Sequence, residues 1–164
     1  MGLDLEELER VYRERYARFH RLARALSADD ELAFDAVQET FARAIRSRRG
    51  FRREAAVETW LWRTLINVCR DERRRATGRP SALAAGELPE LAAAANGHAE
   101  EWPELRAAIA ALPERQRLVL FLAHYADLDQ ATIAAVAGIA RGTVAATLHH
   151  AHASLRRALT EVPT

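Results

Sequence analysis

One stretch limits the architecture more than any other. Residues 54–75, EAAVETWLWRTLINVCRDERRR, read as a single helix with a divided surface. Val57, Leu61, Leu65 and Val68 recur at i, i+4, i+8 and i+11, so they share one face that must be covered. Trp60, Arg63, Asn67, Arg70 and Arg74 fall on the opposite face at the same period. That face carries an aromatic ring, an amide and three guanidiniums, with no acid among the five. Arg binds phosphate, Asn pairs bidentately with a base edge, and Trp offers a stacking surface. Taken alone, an ordinary solvated basic helix explains the pattern equally well.

Charge distribution shifts the balance. Net charge over the 164 residues is only +1, and all 24 cationic residues are Arg. Residues 1–80 hold 18 Arg and 14 acids, net +4, whereas residues 81–164 hold 6 Arg and 9 acids, net −3. The near-neutral total therefore hides a basic N-terminal half. Apolar residues at 49% and charged residues at 29% give a globular profile with room for one ordinary domain or two small ones. Cys69 is the single cysteine, which excludes an internal disulfide and a Cys-based zinc site. The opening MGLDLEELER is acidic and amphipathic, unlike a signal peptide or a membrane span, and a cytoplasmic location without membrane insertion is expected.

In chain order, residues 4–26 read as a first helix, with Leu5, Leu8, Tyr12, Tyr16, Phe19, Leu22 and Leu26 on its apolar stripe. Ser27 is the expected N-cap of a second helix, about residues 28–47, with Asp29 and Asp30 suited to its positive end. Phe34, Val37, Phe41, Ala44 and Ile45 are its expected buried stripe, while Asp35, Gln38, Glu39, Ala42 and Arg46 project the other way. Arg43, Arg46, Arg48, Arg49, Arg52 and Arg53 then crowd around Gly50, a density that repels itself unless a polyanion relieves it. Residues 76–101 break the pattern with Gly, Pro, Ala and Ser, and the segment 79–101 reads as a flexible or partly helical acidic linker. Beyond it come a short helix from Trp102 to Ala111, with Trp102 as a packing anchor, and a helix whose first turn holds Pro113. Asp129 is the expected cap of a third, QATIAAVA, ending at Gly138, and a fourth runs from about Arg141 to Leu159. A short helix, a Gly-containing turn and a longer helix make a helix-turn-helix pattern, with a plain helical hairpin as the alternative.

Four motifs in order resemble one family. DAVQETFARA at 35–44, TWLWRTLINVCRDERRR at 59–75, ALPERQRLVLFL at 111–122 and ATIAAVAGIARGTVAATLHHAHASLRR at 131–157 resemble, in turn, segments of bacterial sigma factors of the extracytoplasmic-function type. The resemblance covers nearly the whole chain. It implies an all-α fold of two small helical domains joined by a flexible linker. Residues 1–78 would be the region 2-like bundle, which binds core polymerase and reads and melts the minus-ten element. Residues 79–101 would be the linker, and 102–164 the region 4-like helix-turn-helix. It implies core RNA polymerase as partner, through the β′ clamp helices and the β flap, together with promoter DNA and an anti-sigma factor. Asp35, Gln38, Glu39 and Ala42 would meet polymerase. Arg52, Arg53, Trp60, Arg63, Asn67, Arg70, Arg73 and Arg74 would meet the minus-ten DNA. Arg141, Thr143, Ala146, His149, His150 and Arg157 would present the helix-turn-helix to DNA. In one respect the chain departs from the family. Where relatives commonly repeat Lys or Arg after the Gly-Thr-Val triplet, this chain has Ala145, Thr147, His150 and His152, so its recognition helix is poor in cations.

No phosphate loop, nucleophile elbow or paired-carboxylate constellation is present, so an enzyme is not expected, and neither is a cofactor. His149, His150 and His152 crowd one helix end with no Cys or acid beside them, which favours surface histidines over a metal site. Two non-enzymatic alternatives stand beside the sigma reading. One is a free-standing helix-turn-helix regulator, which has no use for the DAVQETF helix. The other is a sigma-like protein that binds polymerase or an anti-sigma factor and reads DNA weakly. In limited proteolysis the first cuts are expected between Pro80 and Glu100; early cutting inside 54–75 would contradict the domain division.

Overall fold

The computed structural model describes residues 2–27, 29–52, 55–77 and 102–160. The linker expected at 79–101 lies outside them, as does Arg53. All regular structure among the described residues is helical: α1 (Leu5–Ser27), α2 (Asp30–Ser47), a 3-10 turn (Arg48–Gly50), α3 (Val57–Thr77), α4 (Pro103–Ala110), α5 (Glu114–His124), α6 (Gln130–Ala137) and α7 (Arg141–Thr160).

The N-terminal half is a three-helix bundle in which α1, α2 and α3 all touch one another. Small residues set its geometry. The inner face of α2 is Ala33, Ala36, Val37, Thr40, Phe41 and Ala44, a stripe that lets neighbouring helices approach closely. Phe34 and Ile45, expected inside, lie about 100° of helical turn off this stripe and are 48% and 42% exposed. Leu5, at the first turn of α1, is exposed too. Thr40, fully buried, satisfies its hydroxyl by donating to the Ala36 carbonyl at 2.7 Å.

Val57, Leu61, Leu65 and Val68 are all buried, as their period requires. The same helix also buries Trp62, the largest side chain with no exposed surface in the protein's described part. Its ring stacks on Phe19 of α1 with centroids 3.9 Å apart and planes 18° from parallel. Phe19 in turn meets the edge of Phe41. A single aromatic column thus joins all three helices.

Local chemistry sets the helix ends. The cap of α2 is Asp29 and not Ser27: Asp29 accepts from the Leu32 amide at 2.9 Å, while α1 runs on through Ser27. Ser27 instead donates its hydroxyl to the Asp29 carbonyl. Asp129 caps α6 as expected, accepting from the Thr132 amide at 2.7 Å, and this bond holds its carboxyl below the usual range. Gly138 closes α6 in the left-handed region at φ 69°, where a Cβ would be strained. Pro113 sits one residue before α5, where its missing amide costs nothing. Trp102 is not a packing anchor: it precedes Pro103 and is 62% exposed.

The C-terminal half packs α4 and α5 on α7 and closes α6 against α7. Leu112, Leu120 and Ala151 form a small cluster there. The main core is continuous across both halves, from Phe19, Trp62 and Leu65 to Leu122 and Ile133. No single helix among the described residues is long and apolar enough to cross a membrane. Replacing Trp62 with Ala removes the centre of the column and is expected to cost about 3–5 kcal/mol in denaturant unfolding. Trp62→Phe is expected to cost less, because the buried indole N–H has no hydrogen-bond partner to lose.

Candidate nucleic-acid interface

The outer face of α3 rises directly from its inner one. With Leu61, Leu65 and Val68 fixed in the core, helical geometry turns Arg63 and Asn67 fully outward and leaves Trp60, Arg70 and Arg74 half-buried at its edges. Gly50, at the end of the 3-10 turn, and Phe51 and Arg52 after it lie beside this face. Ser47, Gly50, Phe51, Arg52, Ala55, Trp60 and Arg63 line a cleft of about 450 Å³. Phe51 and Trp60 form an aromatic wall, with centroids 5.0 Å apart and planes 43° from parallel. Arg52 is exposed at the rim. An aromatic wall beside guanidiniums suits an unstacked base and its phosphate. Arg73 belongs to α3, but its side chain lies outside the described residues.

The basic face is less bare than the sequence suggests. Asp71 accepts from Arg43 of α2 at 3.1 Å and lies 3.8 Å from Arg74. Glu39 accepts from Arg43 at 2.7 Å and from Arg46 at 3.0 Å. The Arg43 hydrogen bond holds the Glu39 carboxyl below its ordinary value of 4.5. Arg70 approaches the Asn67 amide oxygen at 3.5 Å. Arg63 donates through Nε at 2.9 Å, and through a second guanidinium nitrogen, to the Ala135 carbonyl of α6. The periodic reading of α3 could not see these partners, because Arg43 and Ala135 lie 28 and 72 residues from theirs.

On α2, Asp35 and Gln38 are exposed, Ala42 is half-buried, and Glu39 is half-buried in its ion pairs. Gln38 donates to the Tyr12 hydroxyl at 3.0 Å. Phe34 and Ile45 flank this polar row on the exposed surface. Sequence reasoning missed them as surface residues by ranking side-chain size above the alanine stripe. In the C-terminal half, Arg141, Thr143, Ala146, His149, His150 and Arg157 are all exposed on α7, while Val144 and Ala151 hold it to the core. Thr147 is buried and donates to the Thr143 carbonyl, and His152 meets His124 with ring nitrogens 3.1 Å apart.

Comparison with known proteins now decides the family. The family model for sigma-70 region 2 matches residues 11–79, and that for sigma-70 region 4 matches residues 103–159. The ECF RNA polymerase sigma factor SigM of Mycobacterium tuberculosis is 33% identical over 156 residues, 95% of this chain and 79% of that protein. The chain belongs to the extracytoplasmic-function sigma factors of the sigma-70 family. The RNA polymerase sigma-E factor of Streptomyces coelicolor is 32% identical over 93% of this sigma factor and 86% of its own length. Among solved structures, CnrH in complex with the cytosolic domain of CnrY shares the fold with a TM-score of 0.72 at 19% identity, covering 98% of this chain and 92% of that one. RpoE in complex with the anti-sigma factor NepR from Bartonella quintana gives 0.66 at 18% identity, covering 97% and 100%. In this sigma factor, then, α2 and α3 belong to region 2, and α6 and α7 are the helix-turn-helix of region 4.

The ion-pair network makes a sign-definite prediction. Glu39 has a folded pKa below its unfolded one, so its stabilisation is present above about 4.5 and lost as pH falls through the depressed value. Glu39→Gln is expected to cost under about 1 kcal/mol near neutral pH, since the pair is partly solvated. The gap between variant and wild type should close on acidification. A gap that widens in acid would contradict the assignment.

Proposed function

We propose that this sigma factor carries core RNA polymerase to promoters, reads and opens the minus-ten element with α3 and the cleft beside it, and performs no chemistry of its own. The observation that carries the reading is the cleft: the Phe51–Trp60 wall, with Arg52 and Arg63 beside it, stands next to a row of Asn67, Arg70 and Arg74. A base turned out of the non-template strand fits between aromatic wall and guanidinium, and stacking of this kind contributes about 1–3 kcal/mol. Asn67 is the residue with base-edge chemistry; the Arg residues, including Arg53 and Arg73, supply phosphate contact. Residues 1–78 act as the polymerase and minus-ten unit, 102–164 as the helix-turn-helix unit, and 79–101 as the connection. The protein works in the cytoplasm, where its polymerase and DNA are.

Polymerase docking falls to α2. Asp35, Gln38, Glu39 and Ala42 present the polar part of the surface, and exposed Phe34 and Ile45 add an apolar anchor at each end. An interface of apolar anchors around a few charges is the pattern that gives both affinity and register. An anti-sigma factor is the expected competitor for these surfaces; RpoE from Bartonella quintana, with the same fold, was solved in complex with the anti-sigma factor NepR. Arg141, Thr143, Ala146, His149, His150 and Arg157 face the minus-thirty-five element. With two cations among them, they contribute a shallow salt dependence, each phosphate contact adding a slope of about −0.9 in log affinity against log salt.

Sequencing the DNA retained by reconstituted holoenzyme from a randomised promoter library tests the minus-ten assignment. Asn67→Ala is expected to relax preference at one or two positions, worth about 1–3 kcal/mol each, whereas Arg74→Ala weakens all sequences alike. The reverse pattern refutes it. For docking, Phe34→Ala with Asp35→Arg is expected to lower core affinity at least tenfold while leaving the thermal unfolding of the free chain within a few degrees of wild type. Unchanged core affinity removes α2 from the interface.

A further inference from the structure

The aromatic column of the N-terminal half does not end in the core. Beyond Phe41 it continues to Tyr12 of α1, whose ring meets Phe41 edge-on, with centroids 4.9 Å apart and planes 89° from parallel. Tyr16, one helical turn on, packs beside Tyr12 at 5.3 Å. Both tyrosines are half-buried, so the column runs from Trp62, which has no exposed surface, to rings that reach solvent. Packed against two rings, Tyr12 has little freedom to turn. Its hydroxyl stands where α2 presents Gln38, which is exposed. Gln38 donates from Nε2 to that hydroxyl at 3.0 Å, across 26 residues of sequence. An exposed bond of this kind adds little stability, because water replaces either partner. Its consequence is positional.

We infer that Tyr12 is a positioning residue for polymerase docking: it holds the Gln38 side chain in the orientation that core polymerase meets. The inference rests on the reading of Gln38 as a polymerase contact. A free glutamine samples many rotamers, and an interface that immobilises one loses affinity in doing so. Here α1 has already fixed the side chain before the partner arrives. The orientation also selects chemistry. With Nε2 turned to Tyr12, Oε1 is the end of the amide left open to a partner. Asp35 lies one turn before Gln38 and Glu39 directly after it, and an ionised carboxylate offers acceptors only. The row of Asp35, Gln38 Oε1 and Glu39 therefore presents acceptors alone. The polymerase surface that fits it is rich in Arg and Lys donors. A Gln38 released from Tyr12 is free to turn its N–H groups outward and set donor against donor.

Tyr12→Phe removes the hydroxyl and keeps the ring that packs on Phe41. In the full chain it is expected to leave thermal unfolding within about two degrees of wild type. Affinity for core polymerase, read by fluorescence anisotropy of the labelled chain, should fall about two- to tenfold. Gln38→Ala should lower it at least as far. In the Gln38→Ala background Tyr12→Phe should then add nothing, because the group it positions is gone. NMR of the free chain supplies a second readout: the Gln38 side-chain amide should lose order in Tyr12→Phe. A ring that served only the fold, or that touched polymerase itself, would weaken binding equally in both backgrounds. Equal loss in both backgrounds therefore overturns the positioning role, as does unaltered order of the Gln38 amide. Unchanged affinity in Tyr12→Phe, beside weakened binding in Gln38→Ala, overturns it too and leaves the docking surface standing. Unchanged affinity in Gln38→Ala instead overturns the polymerase reading of Gln38, and the inference with it.

Discussion

The stack of Trp62 on Phe19 is the contact on which the N-terminal half depends. It places α3 against α1 at one rotation only, because a plane-to-plane contact at 3.9 Å leaves little freedom to turn. Once that rotation is set, every outward residue of α3 is set with it. The alanine stripe of α2 allows this packing, since larger side chains there would hold α1 and α3 away from the column. A DNA-reading face needs side chains held to within a fraction of an ångström. A helix that carries the core on one side and the proposed DNA contacts on the other meets that need through the packing of its own inner face.

Electrostatics then adjusts what packing has placed. Glu39, Arg43, Asp71, Arg46 and Arg74 form a chain of ion pairs between α2 and α3. Exposed pairs of this kind add little stability. Their larger effect is to relieve repulsion among crowded Arg side chains and to tie α2 to α3. Cys69, within the same core, has its thiol pushed up to about 12 chiefly by burial, which leaves it an inert packing residue.

Much of this was legible in sequence. The buried period of α3, the cap at Asp129 and the left-handed close at Gly138 all follow from local rules and appear where those rules put them. What escaped was of two kinds. Phe34, Ile45 and Trp102 are large and apolar, and a reading by residue size puts them inside. The alanines of α2 define the true inner face, and Trp102 precedes Pro103 at the start of α4 and is left exposed. Ser27 failed as a cap because α1 continues through it. The second kind is long-range: the Asp71 pair to Arg43 and the Arg63 bond to Ala135 join residues that only the tertiary fold brings together. Among the site residues, those on α3 and α7 were placed by helical period, whereas the cleft wall needed Phe51 and Trp60 to be seen side by side.

The central claim is that α3 opens promoter DNA only as part of polymerase. A fluorescent base analogue placed in the minus-ten element of a promoter selected by the holoenzyme reports that event directly. The account predicts a rise in fluorescence with core polymerase and this chain together, none with either alone, and loss of the rise in Trp60→Ala at unchanged core affinity. Opening by core polymerase without the chain, or full opening with Trp60→Ala, would contradict it.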